Sequence, residues 1–283
     1  MEFGKILSAY GLPENCEREP MTPGTVSSVW RIRTERETFL LRTLPDAAQG
    51  ATDWQIYQHL RGRGLRETVP ELLSTRDGAP YLEAGGTCWQ LQRFVNGARP
   101  EFTAEGSAAR LAEAVLRLES ALADCPPVAR PDRFDLGRTW AQGRENWETL
   151  ETGISRSDAE REVAECLTFP QRQTQVIHGD LGPWNMLDAD GRLRIIDFGE
   201  ARMGEAYFDL ASAFAGLLNH APEAQRDALA AEFLAASGAE LPRLREQLSL
   251  WIWRGFAWGA AAGQTGMFAR LRSVRSWMET HLR

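Results

Sequence analysis

The pattern of hydrophobic and polar residues changes about a third of the way along the chain. Before that point, apolar residues come in three short runs rich in β-branched, aromatic or leucine side chains: SSVWRIRT, TFLLRTL and CWQLQRFV. Such runs are typical of strands, and the ERE between the first two predicts a hairpin. A helix is predicted over residues 53–63, because Ile56 and Leu60 fall on one side. We therefore expect a small β-rich lobe over residues 1–96.

From Ala104 onward the pattern is helical. Apolar residues recur at spacings of four, three and four, as in the buried stripe of a helix: Leu111, Val115, Leu118 and Leu122. Similar patterns predict further helices at about 156–167, 206–219, 222–236 and 242–262. We therefore expect a larger helical lobe over residues 97–283.

The composition is that of a soluble globular protein, with 43% hydrophobic and 25% charged residues among 283. No apolar run reaches the roughly 18 residues of a membrane span, and the start does not resemble a signal peptide, so we expect a cytoplasmic protein without membrane contacts. The net charge of −7 argues against nucleic-acid binding. Scattered cysteines and histidines predict reduced thiols and neither a disulfide framework nor a zinc site.

The strongest chemical signal is VIHGDLGPWNMLDADGRLRIIDFGEA, residues 176–201. Its DG dipeptide is a typical hairpin turn between the strands NML and RLRII. With the dipeptide in the turn, Asn185 is expected opposite Ile196 and next to Asp197. Asp180 precedes them on a loop whose Gly-Pro pair disfavours a helix. The pattern therefore predicts two carboxylates and one carboxamide in a single constellation.

Carboxylate and carboxamide oxygens suit a hard cation such as Mg²⁺. Protein kinases place a catalytic Asp five residues before an Asn, and the Asp of a later D-F-G holds metal. Asp180 stands five residues before Asn185, and Asp197 begins a D-F-G. A surface hairpin with polar ends is the alternative interpretation. A protein kinase is disfavoured, because no A-P-E follows and the next predicted helix comes too soon for an activation segment.

The segments HGDLGPWNML, IIDFGEA and AYFDLASA together resemble the aminoglycoside phosphotransferase–choline kinase family of small-molecule kinases, most specifically over about residues 176–214. The resemblance implies an α+β, two-lobed protein-kinase-like fold, with a small antiparallel β-rich N-lobe and a larger helical C-lobe. It also implies a phosphotransferase that depends on ATP (or GTP) and Mg²⁺. The acceptor would be a hydroxyl of a small molecule: an aminoglycoside, an amino alcohol, homoserine or a sugar-like compound.

The resemblance also implies roles for individual residues. Asp180 would accept or orient the proton of the substrate hydroxyl, while Asn185 and Asp197 would hold the metal. His178 and Asp209 would support the catalytic loop structurally and take no part in the chemistry.

Two segments of the N-terminal lobe are expected to contact the nucleotide. The loop TPGTVSS offers Gly24, Ser27 and Ser28 to the phosphates, although an ordinary hairpin turn has the same composition. By its position in the family, the strand WQLQRFV would contact adenine through main-chain groups near Gln92, Arg93 and Val95.

The cation that binds the phosphates in this family is normally a lysine, but the only lysine here is Lys5. Arg42 stands in its place, and Asp53 stands where the usual glutamate partner is found. An exposed strand arginine and a helix-capping aspartate are the alternative interpretation. Because the lysine is missing and the phosphate loop is poor in glycine, a pseudokinase or nucleotide-binding regulatory module is the alternative function.

Aromatic residues are the candidates for acceptor binding, since ten tryptophans are many for this length. Trp251 and Trp258 share a helix face with Arg254, and Trp184 lies in the catalytic loop. Aromatic rings can enclose an amine through cation–π contacts, although core packing is the alternative role. Glu200, after D-F-G, would help to bind a cation unless it is a solvated surface acid.

Overall fold

The computed structural model describes residues 3–21, 27–172 and 174–282. The chain divides into two compact units, the first built on a β-sheet and the second mostly helical. The first comprises Met1–Arg99, Val128–Arg130 and Met186–Gly199, and the second Pro100–Pro127, Pro131–Asn185 and Glu200–Arg283. The boundary predicted at residue 96 lies close to the first of these breaks. The sequence pattern did not anticipate the two later segments of the first unit.

The sheet of the first unit is antiparallel, and its described strands follow the order β1-β2-β3-β6-β4, with β5 also paired to β6. The strands are β1 (Glu17–Pro20), β2 (Val29–Arg33), β3 (Thr38–Leu44), β4 (Leu72–Leu73), β5 (Leu82–Ala84) and β6 (Thr87–Arg93). The predicted hairpin of β2 and β3 is present, and Val29 pairs with Arg42. Helix α1 (Phe3–Ala9), which was not predicted, buries Ile6 and Leu7 in the hydrophobic core of this unit.

Helix α2 (Ala47–Gly62) begins six residues before the predicted start. Asp46 caps it, since its side chain accepts a hydrogen bond from the amide of Gln49 at 2.7 Å. Gly50, which weakens the helical pattern, lies inside the helix and is packed closely, because a Cβ there would meet the ring of Tyr81 at 2.6 Å. The sequence pattern therefore missed the first turns of α2, because Gly50, which close packing requires, is a poor helix former.

The hairpin of the central motif belongs to the first unit and consists of β8 (Met186–Ala189) and β9 (Arg192–Ile195). Its predicted register is confirmed from Ala189, which pairs with Arg192, to Met186, which pairs with Ile195. The expected pair of Asn185 with Ile196 is not formed, because Asn185 ends a short 3-10 helix (Pro183–Asn185) before the strand. Asp190 and Gly191 both have positive φ, 54° and 76°, as a two-residue hairpin turn requires. The amide of Ile195 donates to the carbonyl of Thr68 at 2.7 Å, which joins the hairpin to the rest of the unit.

The second unit contains seven α-helices among its described residues: α3 (Ser107–Leu122), α4 (Leu136–Gly143), α5 (Arg156–Cys166), α6 (Tyr207–His220), α7 (Arg226–Ser237), α8 (Leu241–Ala262) and α9 (Phe268–His281). The predicted apolar stripe of α3 is fully buried. Helices α4 and α9 were not predicted. Strands β7 (Thr174–Ile177) and β10 (Arg202–Glu205) pair antiparallel. Within the described ranges, no helix combines the length and the hydrophobicity of a membrane span.

Candidate active site

The carboxylate of Asp180 is held by two side chains of its own loop. The indole Nε1 of Trp184 donates to Oδ1 at 3.1 Å, and Nδ2 of Asn185 donates to Oδ2 at 2.9 Å. The same nitrogen of Asn185 lies 2.9 Å from the main-chain oxygen of Asp180. These hydrogen bonds therefore fix the direction of both carboxylate oxygens.

The loop that carries Asp180 is tied to the start of α6. Asp209 lies in the first turn of that helix, and its carboxylate accepts from the amides of His178 at 2.6 Å and Gly179 at 2.9 Å. His178 and Asp209 are fully buried. Gly179 has a φ of 80°, and a Cβ there would collide with the carbonyl of Glu200, so only glycine fits. These contacts agree with the structural roles that the resemblance implies for His178 and Asp209.

Arg42 and Asp53 form a buried ion pair in the first unit. The guanidinium Nη2 of Arg42 lies 2.8 Å from Oδ2 of Asp53, and Nη1 lies 3.3 Å from Oδ1 of Asp197. Gln90 accepts from Nε and Nη2 of Arg42 at 3.1 and 2.7 Å. Arg42 is 7% exposed and Asp53 is fully buried. The alternative of an exposed arginine and a capping aspartate is therefore wrong, since Asp46 is the cap.

The opposite charges of Arg42, Asp53 and Asp197 affect the pKa values of the buried groups in this cluster. Burial acts to lower the pKa of Arg42, but the nearby carboxylates of Asp53 and Asp197 outweigh it and raise this pKa above its ordinary value. Burial raises the pKa of Asp53, while Arg42 and Arg130 act in the opposite direction. The raised pKa keeps Arg42 cationic.

Arg130 is a member of this cluster that the sequence pattern did not reveal. Its Nη2 donates to Oδ1 of Asp53 at 2.9 Å and contacts the carbonyl of Gln49 at 3.4 Å. Its Nη1 donates to the carbonyls of Phe198 at 2.7 Å and Gly199 at 3.0 Å. Arg130 lies in CPPVARPD, a proline-rich segment without periodicity, so no pattern marked it.

The carboxylate of Asp197 has the conformation and exposure of a functional group. Its φ is 60°, a left-handed value that is uncommon outside glycine and often found at functional sites. The amide of Gly199 donates to its Oδ1 at 3.2 Å, and the side chain is 57% exposed. The next residue, Phe198, is buried and packs edge-on against Tyr57, with ring centroids 5.0 Å apart.

Asn185, in the second unit, and Asp197, in the first, each carry an oxygen atom of the kind that a hard divalent cation prefers. The amide nitrogen of Asn185 is engaged by Asp180, so its carbonyl oxygen is the atom left for a metal. Asp197 offers an exposed carboxylate. Mg²⁺ prefers oxygen ligands, takes only one or two from the protein, and completes its shell with water and phosphate oxygens.

Two of the residues predicted to bind the acceptor lie together beside Asp180. The rings of Trp184 and Trp251 are nearly parallel, at 28°, with centroids 6.5 Å apart. The ring of His220 also packs against that of Trp184, with centroids 6.3 Å apart. Both tryptophans are half-buried. This arrangement gives the second unit an aromatic cluster next to the candidate base.

The other predicted acceptor residues are engaged elsewhere. Arg254 is buried and forms a two-pronged ion pair with Asp132, with Nη2 2.8 Å from Oδ1, so it is not available as a free cation. Trp258 packs edge-on against Phe134 at 5.7 Å. Glu200 forms an ion pair with Arg133 and its side chain is only 13% exposed, so the expectation of a solvated surface acid is wrong.

Glu200 nevertheless has an altered charge environment. Burial raises the pKa of its carboxyl above the ordinary value, and Arg133 opposes that change. The negative charge of Asp180 is a further contribution that raises this pKa. The carboxylate of Glu200 is therefore already engaged by a cationic side chain, that of Arg133.

The residues predicted to contact the nucleotide are partly engaged in the sheet. Gly24 lies outside the described residues. The amide of Ser28 donates to the hydroxyl of Thr43 at 3.0 Å, whereas the half-buried Ser27 makes no such bond to another described residue. In the predicted adenine segment, the amide of Arg93 donates to Glu71 and that of Phe94 to Thr38, at 2.9 and 3.0 Å.

Because the amides of Arg93 and Phe94 are engaged, fewer main-chain groups of this segment are left to bind adenine. The side chain of Gln92 is buried, and that of Arg93 is committed to an ion pair with Glu71 at 2.6 Å. Main-chain recognition of a base is therefore expected at Val95, beyond the last paired residues of the strand.

Comparison with known proteins identifies relatives of the chain. The family model described as "Phosphotransferase enzyme family" (APH) matches residues 18–247. Over 205 residues the chain is 25% identical to a homoserine kinase of Bradyrhizobium sp. (strain ORS 278), which covers 70% of this chain. The match spans 62% of the length of that kinase.

Solved structures of low sequence identity share the fold. The amicoumacin kinase hAmiN, in complex with AMP-PNP, Ca²⁺ and Ami, superposes with a TM-score of 0.70 at 12% identity, over 93% of this chain and 89% of its own. The microcompartment-associated aminopropanol kinase superposes with the same TM-score at 16% identity, over 99% and 98%. The fold is therefore protein-kinase-like, with an antiparallel sheet in its N-terminal region and helices in its C-terminal region. Because the family model matches most of the chain, the protein belongs to the phosphotransferase enzyme family.

Proposed function

We propose that the protein is a small-molecule kinase that transfers the γ-phosphoryl group of a nucleoside triphosphate, ATP or GTP, to a hydroxyl group in a reaction that requires Mg²⁺. The observation that carries the proposal is the carboxylate of Asp180, oriented by Trp184 and Asn185 on a loop that Asp209 fixes. Phosphoryl transfer depends mainly on positioning and charge neutralisation, so a rigidly held acceptor for the hydroxyl proton suits it.

In the proposed reaction, the hydroxyl oxygen of the acceptor bonds to the γ-phosphorus as the bond to the β–γ bridging oxygen breaks. The nucleoside diphosphate leaves, and Asp180 accepts the hydroxyl proton. Arg42 would bind phosphate oxygens through its guanidinium fork. Asn185 and Asp197 would hold the cation, which neutralises phosphate charge when bound.

The proposed acceptor is a small molecule that carries both a hydroxyl and an amino group. Aromatic faces attract ammonium groups, and Trp184 and Trp251 lie together in the unit that contains Asp180. Glu200 is neutralised by Arg133 and offers little to a polycationic sugar. The related homoserine kinase and the aminopropanol kinase of the same fold act, by their names, on compounds of this size.

The proposal is tested by Asp180→Asn, which keeps the shape of the side chain and removes the proton acceptor. Transfer from Mg-ATP to homoserine, 1-amino-2-propanol, choline and an aminoglycoside is measured through ADP release. The active acceptor should lose at least about 100-fold in kcat, within the usual contribution of general base catalysis. Asp190→Asn is the matched control, since Asp190 lies in the exposed hairpin turn, where asparagine also accepts a positive φ.

A nucleotide-binding pseudokinase is the second candidate, because Arg42 replaces the lysine and is engaged by Gln90, Asp53 and Asp197. Calorimetry with Mg-AMP-PNP tests whether the protein binds the nucleotide, as both candidate functions require. A kinase binds the nucleotide and turns over an acceptor, whereas a pseudokinase only binds it. Failure of the wild-type protein to bind Mg-nucleotide contradicts both.

A further inference from the structure

We propose that Arg130 is a positioning residue that orients the metal-binding carboxylate of Asp197 by tying the backbone after it to Asp53. The inference rests on the proposed function, since it concerns the use of a Mg-nucleotide. Arg130 has no expected contact with nucleotide, metal or acceptor. It acts through the segment that carries Asp197.

The contacts of Arg130 divide between two parts of the first unit. One guanidinium nitrogen reaches α2, at Asp53 and Gln49, and the other reaches the carbonyls of Phe198 and Gly199. The side chain is 12% exposed. A single planar group thus bridges the helix that pairs with Arg42 and the D-F-G backbone. Lysine, with one nitrogen, cannot make both sets of contacts.

The conformation of Asp197 explains why the bridge is needed. Its positive φ is unfavourable for a residue with a side chain, so neighbouring contacts must hold it. The carbonyls that Arg130 binds belong to the two residues that follow. Without these bonds, the backbone after Asp197 is free to relax, and the carboxylate changes direction.

The charges of the cluster lead to the same conclusion. Two guanidinium groups, of Arg42 and Arg130, face two carboxylates, of Asp53 and Asp197. Asp53 is fully buried, so it requires a cationic partner. If a neutral residue replaces Arg130, Arg42 is the remaining cationic partner of Asp53 and binds Asp197 less well. Arg130 therefore supplies the charge that lets Arg42 keep its contact with Asp197.

The test is the Mg²⁺ dependence of nucleotide binding, which needs no acceptor. Affinity for AMP-PNP is measured by calorimetry in Mg²⁺ and in EDTA, for wild type and Arg130→Gln. The variant should lose roughly tenfold or more of its affinity in Mg²⁺, the scale of one charge-assisted hydrogen bond, and less than about twofold in EDTA. An equal loss in both conditions, or no loss, overturns the inference.

Arg61→Gln is the matched control, because Arg61 forms an ion pair with Glu71 at 3.2 Å in the same unit and is also mostly buried. It should lower the melting temperature and leave the Mg²⁺ dependence unchanged; a similar loss of Mg²⁺ dependence there would overturn the inference. If Arg130→Gln does not fold, Arg130→Lys carries the test with the same criteria. Wild-type protein that fails to bind Mg-AMP-PNP contradicts the proposed function itself, whereas an unaffected variant contradicts only the role of Arg130.

Discussion

The indole Nε1 of Trp184 lies 3.1 Å from Oδ1 of Asp180, so an aromatic side chain holds the proposed base directly. The same indole ring is stacked near Trp251, and glycines leave room for it. A Cβ at Gly182 would collide with the ring, and one at Gly216 would lie 3.3 Å from its Cζ3. The position of Trp184 therefore depends on both the loop and helix α6.

Trp184→Phe is expected to lower kcat roughly tenfold, because phenylalanine keeps an aromatic side chain but cannot donate a hydrogen bond to the carboxylate of Asp180. The KM for Mg-ATP should stay within about twofold, because the lost bond orients Asp180 and does not hold the nucleotide. Steady-state kinetics with the active acceptor measures both. Trp277→Phe is a matched control, since its Nε1 donates to Asp227 at 2.8 Å, a bond of the same kind outside the site. A KM effect alone, or an equal kcat loss in the control, contradicts the prediction.

The parts of the site that follow one local pattern could be predicted from the sequence. The hairpin register follows from a two-residue turn, and Ala189 pairs with Arg192 as expected. The resemblance to the small-molecule kinase family implies the Arg42–Asp53 pair, and the pair is present at 2.8 Å. In both cases the relevant residues are close in sequence or occupy fixed positions in regular elements.

The parts that depend on long-range packing could not be predicted. Arg130 bonds to carbonyls 68 and 69 residues away, and backbone acceptors leave no mark in a sequence. Arg254 was placed on a helix face with two tryptophans, but its partner is Asp132, from a loop 122 residues earlier. Helical periodicity predicts which residues share a face of the helix, but it cannot predict an ion pair with a residue of a distant segment.

Gly216→Ala should destabilise the protein, although alanine usually favours a helix by about 1 kcal/mol. The added Cβ would collide with Cδ of Pro183, and overpacking of this kind costs about 1–3 kcal/mol. Urea unfolding measures the change in free energy. Gly62→Ala is the control, because nothing lies within 4 Å of its added Cβ at the end of α2. That variant should be neutral or more stable, and a stabilised Gly216→Ala would refute the steric argument.

Arg42→Lys should weaken binding of Mg-AMP-PNP roughly tenfold, although lysine is the usual residue of the family. Lysine cannot bond to Gln90, Asp53 and Asp197 together, and the buried Oε1 of Gln90 would lose both of its donors. The unmade bond should also cost about 1–3 kcal/mol of stability. Calorimetry and urea unfolding test both effects, with the surface variant Arg33→Lys as control. Unchanged or tighter binding would mean that the arginine is incidental.

Glu119 on α3 should make stability depend on pH. Its Oε1 is buried without a hydrogen-bond partner among the described residues. Burial, followed by the charge of Asp209, raises its pKa from 4.5 to about 8; Glu205 adds to this and Arg243 opposes it. Between these values the folded protein keeps the proton that the unfolded chain has lost. Stability therefore falls as the pH rises through this window, by at most about 1.4 kcal/mol per pH unit.

Glu119→Gln should remove this dependence, because glutamine stays neutral at every pH. The stability of the variant relative to wild type should therefore increase from about pH 5 to about pH 8, measured by urea unfolding at several pH values. Glu113→Gln, on the exposed side of the same helix, is the control and should show a constant difference. A constant difference for Glu119→Gln as well would mean that Glu119 ionises in the folded protein as it does in the unfolded chain.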